Sequence, residues 1–515
     1  MKISIKIVVG LFLCCGLVGS LRVQSQTLPS RIIEAIDDDS VVRLENTTDI
    51  RIGTAADEGR VSPDLPMERM LLMLRSSPEQ EAVLEQLLAE QQDPSSPNYH
   101  HWLTPEEFGE RFGASPQELD AVVSWLTEHG FTVDSIANSR REIEFSGTAS
   151  QVEAAFHTEI HWYASEGEAH IANATDISIP MALTPVVEGV VGLPDFTARS
   201  MMTRADGNHG MSPRDFATIY NVTSLWNQGF DGKGQSIAIV AQSNIKLSDV
   251  MNFRAQFGLP VNDPQIIIVP GSDPGITDDE GEADLDVEWA GAIAKSATIK
   301  LIVAKTAGLS AFYIVDNNVA TIVSVSFGRC ESELGSLGVQ FFNIVWQQAA
   351  AQGMSVFVSS GDSGSATCDS ANAVAATSGL GVNGWASTPY NVAVGGTRFN
   401  DNATYWNRTN NIFALSSARG YIPETVWNDR MDFRLPEGLW SSGGGVSVFW
   451  PKPSWQVGLG VPPPIPALPL SIIVICPIYH SLLRFTVGTL SDMLVILNLL
   501  GERRPPVPPL LGSWQ

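Results

Sequence analysis

Basic residues are scarce in this 515-residue sequence, which has 31 lysines and arginines against 56 aspartates and glutamates. The formal net charge of −25 at pH 7 would repel nucleic acids and anionic membrane surfaces, so we expect neither as a partner. The charge fits a secreted protein that stays soluble in acid, where many carboxylates carry a proton. It is equally compatible with any soluble acidic protein.

Histidine is absent between Gly210 and Pro462. A Ser-His-Asp triad therefore cannot form within this half of the chain. If this region performs acyl transfer, its general base must be a carboxylate. A carboxylate with an ordinary pKa of about 4 is an efficient base only near acidic pH.

Cysteine is also scarce, and two of the five cysteines, Cys14 and Cys15, lie in an apolar N-terminal stretch. This stretch, residues 7–20, follows two lysines and is too short to span a membrane comfortably. We interpret residues 1–25 as a signal peptide and expect the protein to be secreted, to the extracellular space or the periplasm.

Three cysteines remain after removal of the signal peptide. In an oxidising compartment two of them are expected to pair. Cys330 and Cys368 flank the motifs described below, so we expect a disulfide between them, with Cys476 left over.

Hydrophobic patterning separates the chain into parts. Continuous apolar strands such as "GQSIAIVAQS" (234–243) and "TIVSVSFG" (321–328) alternate with helices, which predicts a parallel α/β sheet with sites at the carboxyl ends of its strands. The segment before it mixes helices with a hairpin and predicts an α+β domain. We divide the chain into a signal peptide (1–25), an upstream part (26–200), an α/β domain (212–462) and a Pro- and Leu-rich tail (463–515). The upstream part begins with a polar lead-in (26–60) and contains a globular section (about 66–193). A linker (194–212) connects it to the α/β domain.

Residues 278–288 hold seven carboxylates and lead into an apolar helix. At about 100° per residue, Glu282 and Asp286 share the apolar stripe, whereas Asp284 and Glu288 fall on the opposite side. Neighbouring carboxylates on a buried face raise each other's pKa and commonly share one proton. The pattern alone leaves a catalytic acid pair as one interpretation among several. The alternatives are an ion pair between one acid and a Lys or Arg, or a helix register that differs by a turn.

Several motifs in order resemble the sedolisin/kumamolisin family of serine-carboxyl peptidases. Upstream, "NYHHWLTPEEFGERFGAS" and "VEAAFHTEI" resemble the activation propeptide of the pro-kumamolisin type, which implies a ferredoxin-like α+β domain. The resemblance implies a subtilisin-like α/β domain with a parallel sheet flanked by helices. The motifs of that domain are "GEADLDVEWAGAIA" (281–294), "SVSFGRCE" (324–331), "SSGDSGSATCD" (359–369) and "ASTPYNVAVGGTRF" (386–399).

The resemblance assigns roles to named residues. Glu282 would be the general base, Asp286 would orient it, and Asp362 would line the oxyanion hole. A protonated Asp362 can donate a hydrogen bond to the oxyanion, which an ionised carboxylate cannot. Ser326, Phe327 and Gly328 would form one wall of a cleft in which backbone groups pair with an extended peptide. The glycine-rich segment "SSGGGVS" (441–447) is also similar to the family, and its role stays open.

The sequence departs from the family after Pro462. The family's nucleophile lies in a Gly-Thr-Ser motif, and the most similar segment, "VGTLSDM" (487–493), has Leu490 between Thr489 and Ser491. Calcium is expected for the family, but its C-terminal site has no counterpart in this sequence. We therefore predict no metal ligands here.

These observations lead to three functional hypotheses. The first is a secreted, acid-acting serine endopeptidase zymogen, inactive in this chain because the nucleophile is missing, with a peptide substrate and its own propeptide as partners and a monomeric state. The second is a secreted pseudopeptidase that binds peptides in the retained cleft. The third is a glycosidase that uses Glu282 with Asp286, but acids one helical turn apart lie too close together for an inverting mechanism.

The change in composition after Pro462 predicts that the tail is out of frame or otherwise foreign to the fold. Reading the coding DNA for a one-base shift near Pro462 tests this prediction. We expect an alternate frame to encode Gly-Thr-Ser, and a frame without that motif would reject the idea.

Overall fold

A computed structural model describes residues 29–165, 167–196, 198–200, 211–430, 437–453, 456, 471–472 and 476–477. The predicted signal peptide and the segment 487–493 lie outside the described residues. Within the described part of the chain, no helix has both the length and the apolar character needed to cross a bilayer.

The upstream domain is built on a four-stranded antiparallel sheet with the order β4-β5-β3-β9. Read from the other edge in chain order, this is 4-1-3-2, the arrangement of a ferredoxin-like fold. Its strands are β1 (Val41–Arg43), β2 (Ala56–Arg60), β3 (Pro66–Leu74), β4 (Thr132–Ile136), β5 (Glu142–Thr148), β6 (Ile160–Ser165), β7 (Glu168–Asn173), β8 (Ser178–Pro180) and β9 (Val187–Val191), and its helices are α1 (Pro78–Gln92), α2 (Pro105–Phe112), α3 (Pro116–Glu128) and α4 (Ala149–Phe156).

Local sequence explains where these four helices begin. Each one starts with a capping box, in which a Ser or Thr side chain accepts from the third helical amide and a Glu or Gln side chain accepts in return. α1, α2 and α3 also carry proline in the first turn, where the missing amide costs nothing.

The sequence-based expectation of a polar lead-in over residues 26–60 is wrong where the structure describes this segment. β1 pairs with β8 and β2 pairs with β6, so the folded part begins well before residue 66. An ion pair between Arg31 and Glu118, with Nε 2.8 Å from Oε1, fastens the beginning of the segment. Periodicity did not reveal these strands because their stability comes from pairing and ion pairs rather than from an apolar face.

The downstream domain is a seven-stranded parallel sheet with the order β12-β13-β11-β14-β16-β17-β22. The predicted α/β class is confirmed. The strands of this sheet are β11 (Ser236–Ala241), β12 (Gln265–Ile268), β13 (Thr298–Val303), β14 (Ile322–Val325), β16 (Ser355–Ser359), β17 (Val392–Gly395) and β22 (Cys476–Pro477). The short strands outside it are β10 (Arg199–Ser200), which precedes the domain in sequence, β15 (Phe327–Gly328), β18 (Thr397–Phe399), β19 (Glu424–Val426), β20 (Val446–Ser447) and β21 (Ser471–Ile472). The helices are α5 (Pro213–Ile219), α6 (Val222–Asn227), α7 (Leu247–Gln256), α8 (Glu280–Ile293), α9 (Ala307–Asp316) and α10 (Glu331–Ala351).

Helices cover both faces of this sheet. Ile237 and Ile239 of β11 pack into a core shared with α5, α7 and α8, whereas Ala238 and Val240 pack into a core shared with α9 and α10. Each large apolar side chain that is fully buried in these layers contributes about 1.5–3 kcal/mol. This two-sided burial explains why the strands read as continuous apolar runs.

The upstream domain docks on the α9 and α10 side of the sheet. Leu71 of β3 lies in the same core as the side chains of these helices. At the end of α9, the Asp316 carboxylate accepts from the backbone amides of Asn138 and Ser139, each at 3.0 Å. The two domains are therefore joined by apolar packing and by hydrogen bonds to a largely buried acid.

Candidate active site

The predicted acid pair lies on α8, and both side chains face inward. Glu282 and Asp286 have 0 % exposed surface, as the helical spacing predicts. Burial raises the pKa of Asp286 to about 7, while interactions with Ser326 and with Glu282 act in the opposite direction. Two carboxyl groups this close titrate together, and below neutral pH they hold a proton between them.

Packing at the far end of α8 forces the acids into this position. Trp289 is buried and contacts the rings of Phe216 and Phe253, with centroid separations of 6.0 and 6.3 Å. Ala290 and Ile293 are buried in the same core. Because residues three and four apart share a helix face, a helix that buries these side chains also turns Glu282 and Asp286 toward the sheet.

Ser326 follows β14 directly and brings the carboxyl edge of the sheet to the acid pair. Its side chain is fully buried and interacts with Asp286, so it lies beside the pair. The next two residues, Phe327 and Gly328, are the remaining members of the predicted cleft wall. β15 pairs antiparallel with β10, with Arg199 opposite Gly328 and Ser200 opposite Phe327. Two described residues of the predicted linker, Arg199 and Ser200, thus lie as a short strand on the predicted substrate wall.

Asp362 lies three residues beyond β16, at the same carboxyl edge as Ser326, because β14 and β16 are parallel neighbours. The structure thus places Asp362 at the edge of the sheet that Ser326 shares with the acid pair. A glycine-rich segment forms hydrogen bonds to the backbone of Asp362 and of Gly361. The amide of Ser441 donates to the Asp362 carbonyl at 2.9 Å, and the amide of Gly443 donates to the Gly361 carbonyl at 2.6 Å.

Glycine is required at position 443 for steric reasons. A Cβ atom added there would lie 2.1 Å from the carbonyl oxygen of Ser360. The segment 441–447, whose role the sequence left open, therefore acts as a strap across the Asp362 loop. The run of three glycines was the signal in the sequence, but its contact partner could not be read from it.

Two further links join the strap, the loop and the cleft wall. Cys330, two residues after β15, forms a disulfide with Cys368, with their Cα atoms 4.9 Å apart. Glu331 is buried and accepts from Ser447 Oγ at 2.5 Å and from the amide of Val448 at 3.0 Å. The ends of the strap and of the loop are thus fixed to the same turn at the start of α10.

A second acidic cluster lies on the opposite side of α8. Carboxylate oxygens of Asp249, Glu280 and Asp284 lie within 4.8 Å of one another, and Lys246 Nζ pairs with Glu280 at 2.7 Å. Such a group could accept a cation. The calcium expected from the family resemblance stays a prediction, because its site would lie near the C-terminus, outside the described residues.

The surroundings of this second cluster, called the outer cluster together with the neighbouring Glu288, oppose ionisation of its carboxyl groups. Burial raises the pKa of Asp284 to about 7 and that of Glu288 to about 8, and repulsion from Asp249 adds to both shifts. Lys246 acts in the opposite direction on Asp284. The folded state therefore binds protons on these groups at pH values where the unfolded chain has already released them.

Chains similar to this one support the interpretation of both domains. The family described as "Pro-kumamolisin, activation domain" matches residues 54–196. The sequence is 31% identical to sedolisin of Pseudomonas sp. (strain 101), over 73% of this chain and 65% of sedolisin. It is 29% identical to xanthomonalisin of Xanthomonas sp. (strain T-22), over 72% of this chain and 50% of that protein. It is also 29% identical to kumamolisin of Bacillus sp. (strain MN-32), over 79% of this chain and 72% of kumamolisin.

The chain is similar to proteins of the sedolisin family over most of its length. The activation-domain match coincides with the ferredoxin-like upstream domain, so the predicted pro-kumamolisin-type propeptide is confirmed. The chain spans only 65% of sedolisin and 50% of xanthomonalisin.

From the raised pKa values in the outer cluster we predict that these groups make the downstream domain more stable in acid than at neutral pH. The folded-state pKa values of Asp284 and Glu288 lie above their unfolded values, so stability is lost as pH rises from about 4 toward 8. Glu288→Gln removes one of these charges and should raise the free energy of unfolding at pH 8 by about 2 kcal/mol, with little change at pH 4.

Urea unfolding at pH 4 and pH 8 measures this effect. Asp278→Asn is the matched control, because Asp278 is exposed and belongs to the same acidic run. Equal stability changes for Glu288→Gln at the two pH values would show that the cluster does not oppose ionisation.

Proposed function

We propose that this chain is the zymogen of a secreted, acid-acting serine-carboxyl endopeptidase, in a form that lacks its nucleophile. The observation that carries the proposal is the buried Glu282–Asp286 pair, which meets Ser326 at the carboxyl edge of the sheet beside a strand that already holds an extended segment of the chain. The similarity to sedolisin and the activation-domain match support the same reaction class. The substrate class is therefore an extended peptide.

The acid pair explains why such chemistry would need acid. With Asp286 protonated, its hydroxyl can donate to the Glu282 carboxylate and orient it as the general base. Because the pKa of Asp286 is raised to about 7, this singly protonated form is lost above neutral pH, where both groups would be charged. A protonated Asp362 would supply a donor to the oxyanion under the same conditions.

The linker strand gives the zymogen character. A substrate backbone and β10 would compete for the same amides and carbonyls of β15, so the end of the propeptide would block the cleft of the downstream domain. We expect activation by cleavage between Arg199 and Met211, after which the linker can leave. Secretion would follow from the signal peptide predicted from sequence.

Acid weakens part of the propeptide. Burial opposes ionisation of Glu118, but hydrogen bonds from Arg31 and from Ser115 outweigh it and lower the pKa. Hydrogen bonds from Arg60 are the largest influence on Glu153 and likewise lower its pKa. Each carboxylate stabilises the propeptide above its unfolded pKa, and this stabilisation is lost as pH falls through the folded pKa.

The absence of a Gly-Thr-Ser motif from the sequence favours a second candidate, a secreted pseudopeptidase. Such a protein would use the same cleft wall to bind peptides reversibly. The two candidates differ in one respect: a working serine in the cleft forms a hemiacetal with a peptide aldehyde and so binds it more tightly than the corresponding peptide alcohol.

An aldehyde titration at pH 4 distinguishes the two candidates. We expect the chain to bind a peptide aldehyde and the corresponding peptide alcohol with equal affinity, because no serine forms a hemiacetal. Tighter binding of the aldehyde that is lost in Glu282→Gln and kept in Asp278→Asn would instead establish a working serine and a catalytic base. Failure to bind any peptide at any pH would reject both the peptidase and the pseudopeptidase.

Acid sensitivity of the propeptide is tested separately with Glu118→Gln. This variant should lower the melting temperature of the upstream domain at pH 7, and the difference from the parent chain should shrink as pH falls toward 3, because the stabilisation by Glu118 is lost as pH falls through its folded pKa. Glu58→Gln, at an exposed position in β2, is the control. A difference that stays constant between pH 7 and pH 3 would contradict an acid-sensitive ion pair.

A further inference from the structure

Arg329 is a cation held in a fixed position beside the cleft wall. It follows β15 directly, its amide donates to Asn383 Oδ1 at 3.2 Å, and its carbonyl accepts from the amide of Gly384 at 2.8 Å. The next residue, Cys330, forms the disulfide with Cys368. The backbone of Arg329 is therefore anchored within the peptidase domain.

The Arg329 side chain reaches the propeptide and the start of the linker. Its guanidinium forms a short ion pair with Asp49, and both side chains are nearly buried. Its Nη1 also donates to the carbonyl of Phe196 at 3.3 Å. Phe196 lies three residues before Arg199, the residue that faces Gly328. Arg329 therefore contacts the extended segment upstream of the part that pairs with the wall.

The surroundings of Phe196 come mainly from the propeptide. Arg51 lies over its ring at 3.7 Å, whereas the Arg329 guanidinium is 6.0 Å from the ring centroid. Asp49 bridges the two cations, with its Oδ2 2.9 Å from Arg51 Nη2. The ring and the Asp49 carboxylate thus occupy neighbouring positions next to Arg329.

Release of the propeptide would remove Asp49 and Arg51 but leave Arg329 in place. Its remaining acidic neighbour is Glu333, with Oε2 3.7 Å from Nε. Removing one partner of a largely buried ion pair leaves a charge that is poorly compensated. A new carboxylate that arrives with a peptide would restore the lost interaction, and the guanidinium would keep that carboxylate ionised in acid.

We propose that Arg329 determines specificity in this cleft by selecting peptides with an acidic side chain three residues before the one that faces Gly328. This is the position that Phe196 holds in the zymogen. A glutamate there extends about as far as the phenyl ring and places its carboxylate next to the guanidinium. The inference rests on the proposed peptide-binding cleft, but it does not require hydrolysis.

Two peptides that differ only in having Glu or Gln at one position test the inference. Fluorescein-labelled PDETARSMMT and PDQTARSMMT follow residues 194–203, with Glu or Gln in place of Phe196. We expect the full chain with Asp49→Asn, in which Arg329 has lost its acidic partner from the propeptide, to bind the Glu peptide about tenfold more tightly at pH 5 by fluorescence anisotropy, since charge-assisted hydrogen bonds are about twice as strong as neutral ones. The chain's own linker competes equally with both peptides, so the affinity ratio isolates the side chain.

Arg329→Gln should reduce this ratio to about one. Arg408→Gln, which changes an exposed arginine of the same domain, should leave the ratio unchanged. Equal binding of the two peptides, a preference that survives in Arg329→Gln, or no binding of either peptide would each overturn the proposal. Cleavage is scored separately: preference without cleavage keeps the specificity site and rejects the peptidase activity, whereas cleavage without preference does the reverse.

Discussion

Glu282 and Asp286 lie one turn apart on α8 with no exposed surface, and burying two charges together costs several kcal/mol. The fold avoids this cost by keeping a proton on the pair, which is why the pKa of Asp286 rises to about 7. The position of the pair depends on the packing of Trp289 and Ile293, so the apolar end of the helix determines the chemistry at its polar end.

The opposite side of α8 repeats the constraint in a milder form. Asp284 and Glu288 are half-buried, and burial together with repulsion from neighbouring acids, Asp249 among them, raises the pKa of each. One short helix therefore carries two groups of acids that favour protonation, one facing the sheet and one facing α7. Both groups make the charged state of this helix unfavourable at neutral pH, so acid favours its folded form.

Sequence reasoning predicted the parts that depend on periodicity. The inward direction of Glu282 and Asp286 followed from helical spacing, and the parallel sheet followed from continuous apolar strands. It failed for residues 41–60 and for the strand Arg199–Ser200, where pairing partners far away in sequence create the structure. It also left the strap 441–447 without a role, because the contact of Gly443 with Ser360 exists only in three dimensions.

Carboxylates in two different settings respond to acid in opposite ways. Glu118 and Glu153 of the upstream domain are paired with arginines and have lowered pKa values, so falling pH removes the stabilisation that they supply. Buried Asp286 and half-buried Glu288 of α8 have raised pKa values, as has buried Glu142 of the upstream domain, so falling pH removes the cost of their ionisation. The presence or absence of a neighbouring arginine therefore decides whether acid weakens or favours the packing around each group, and both kinds of group occur in the upstream domain.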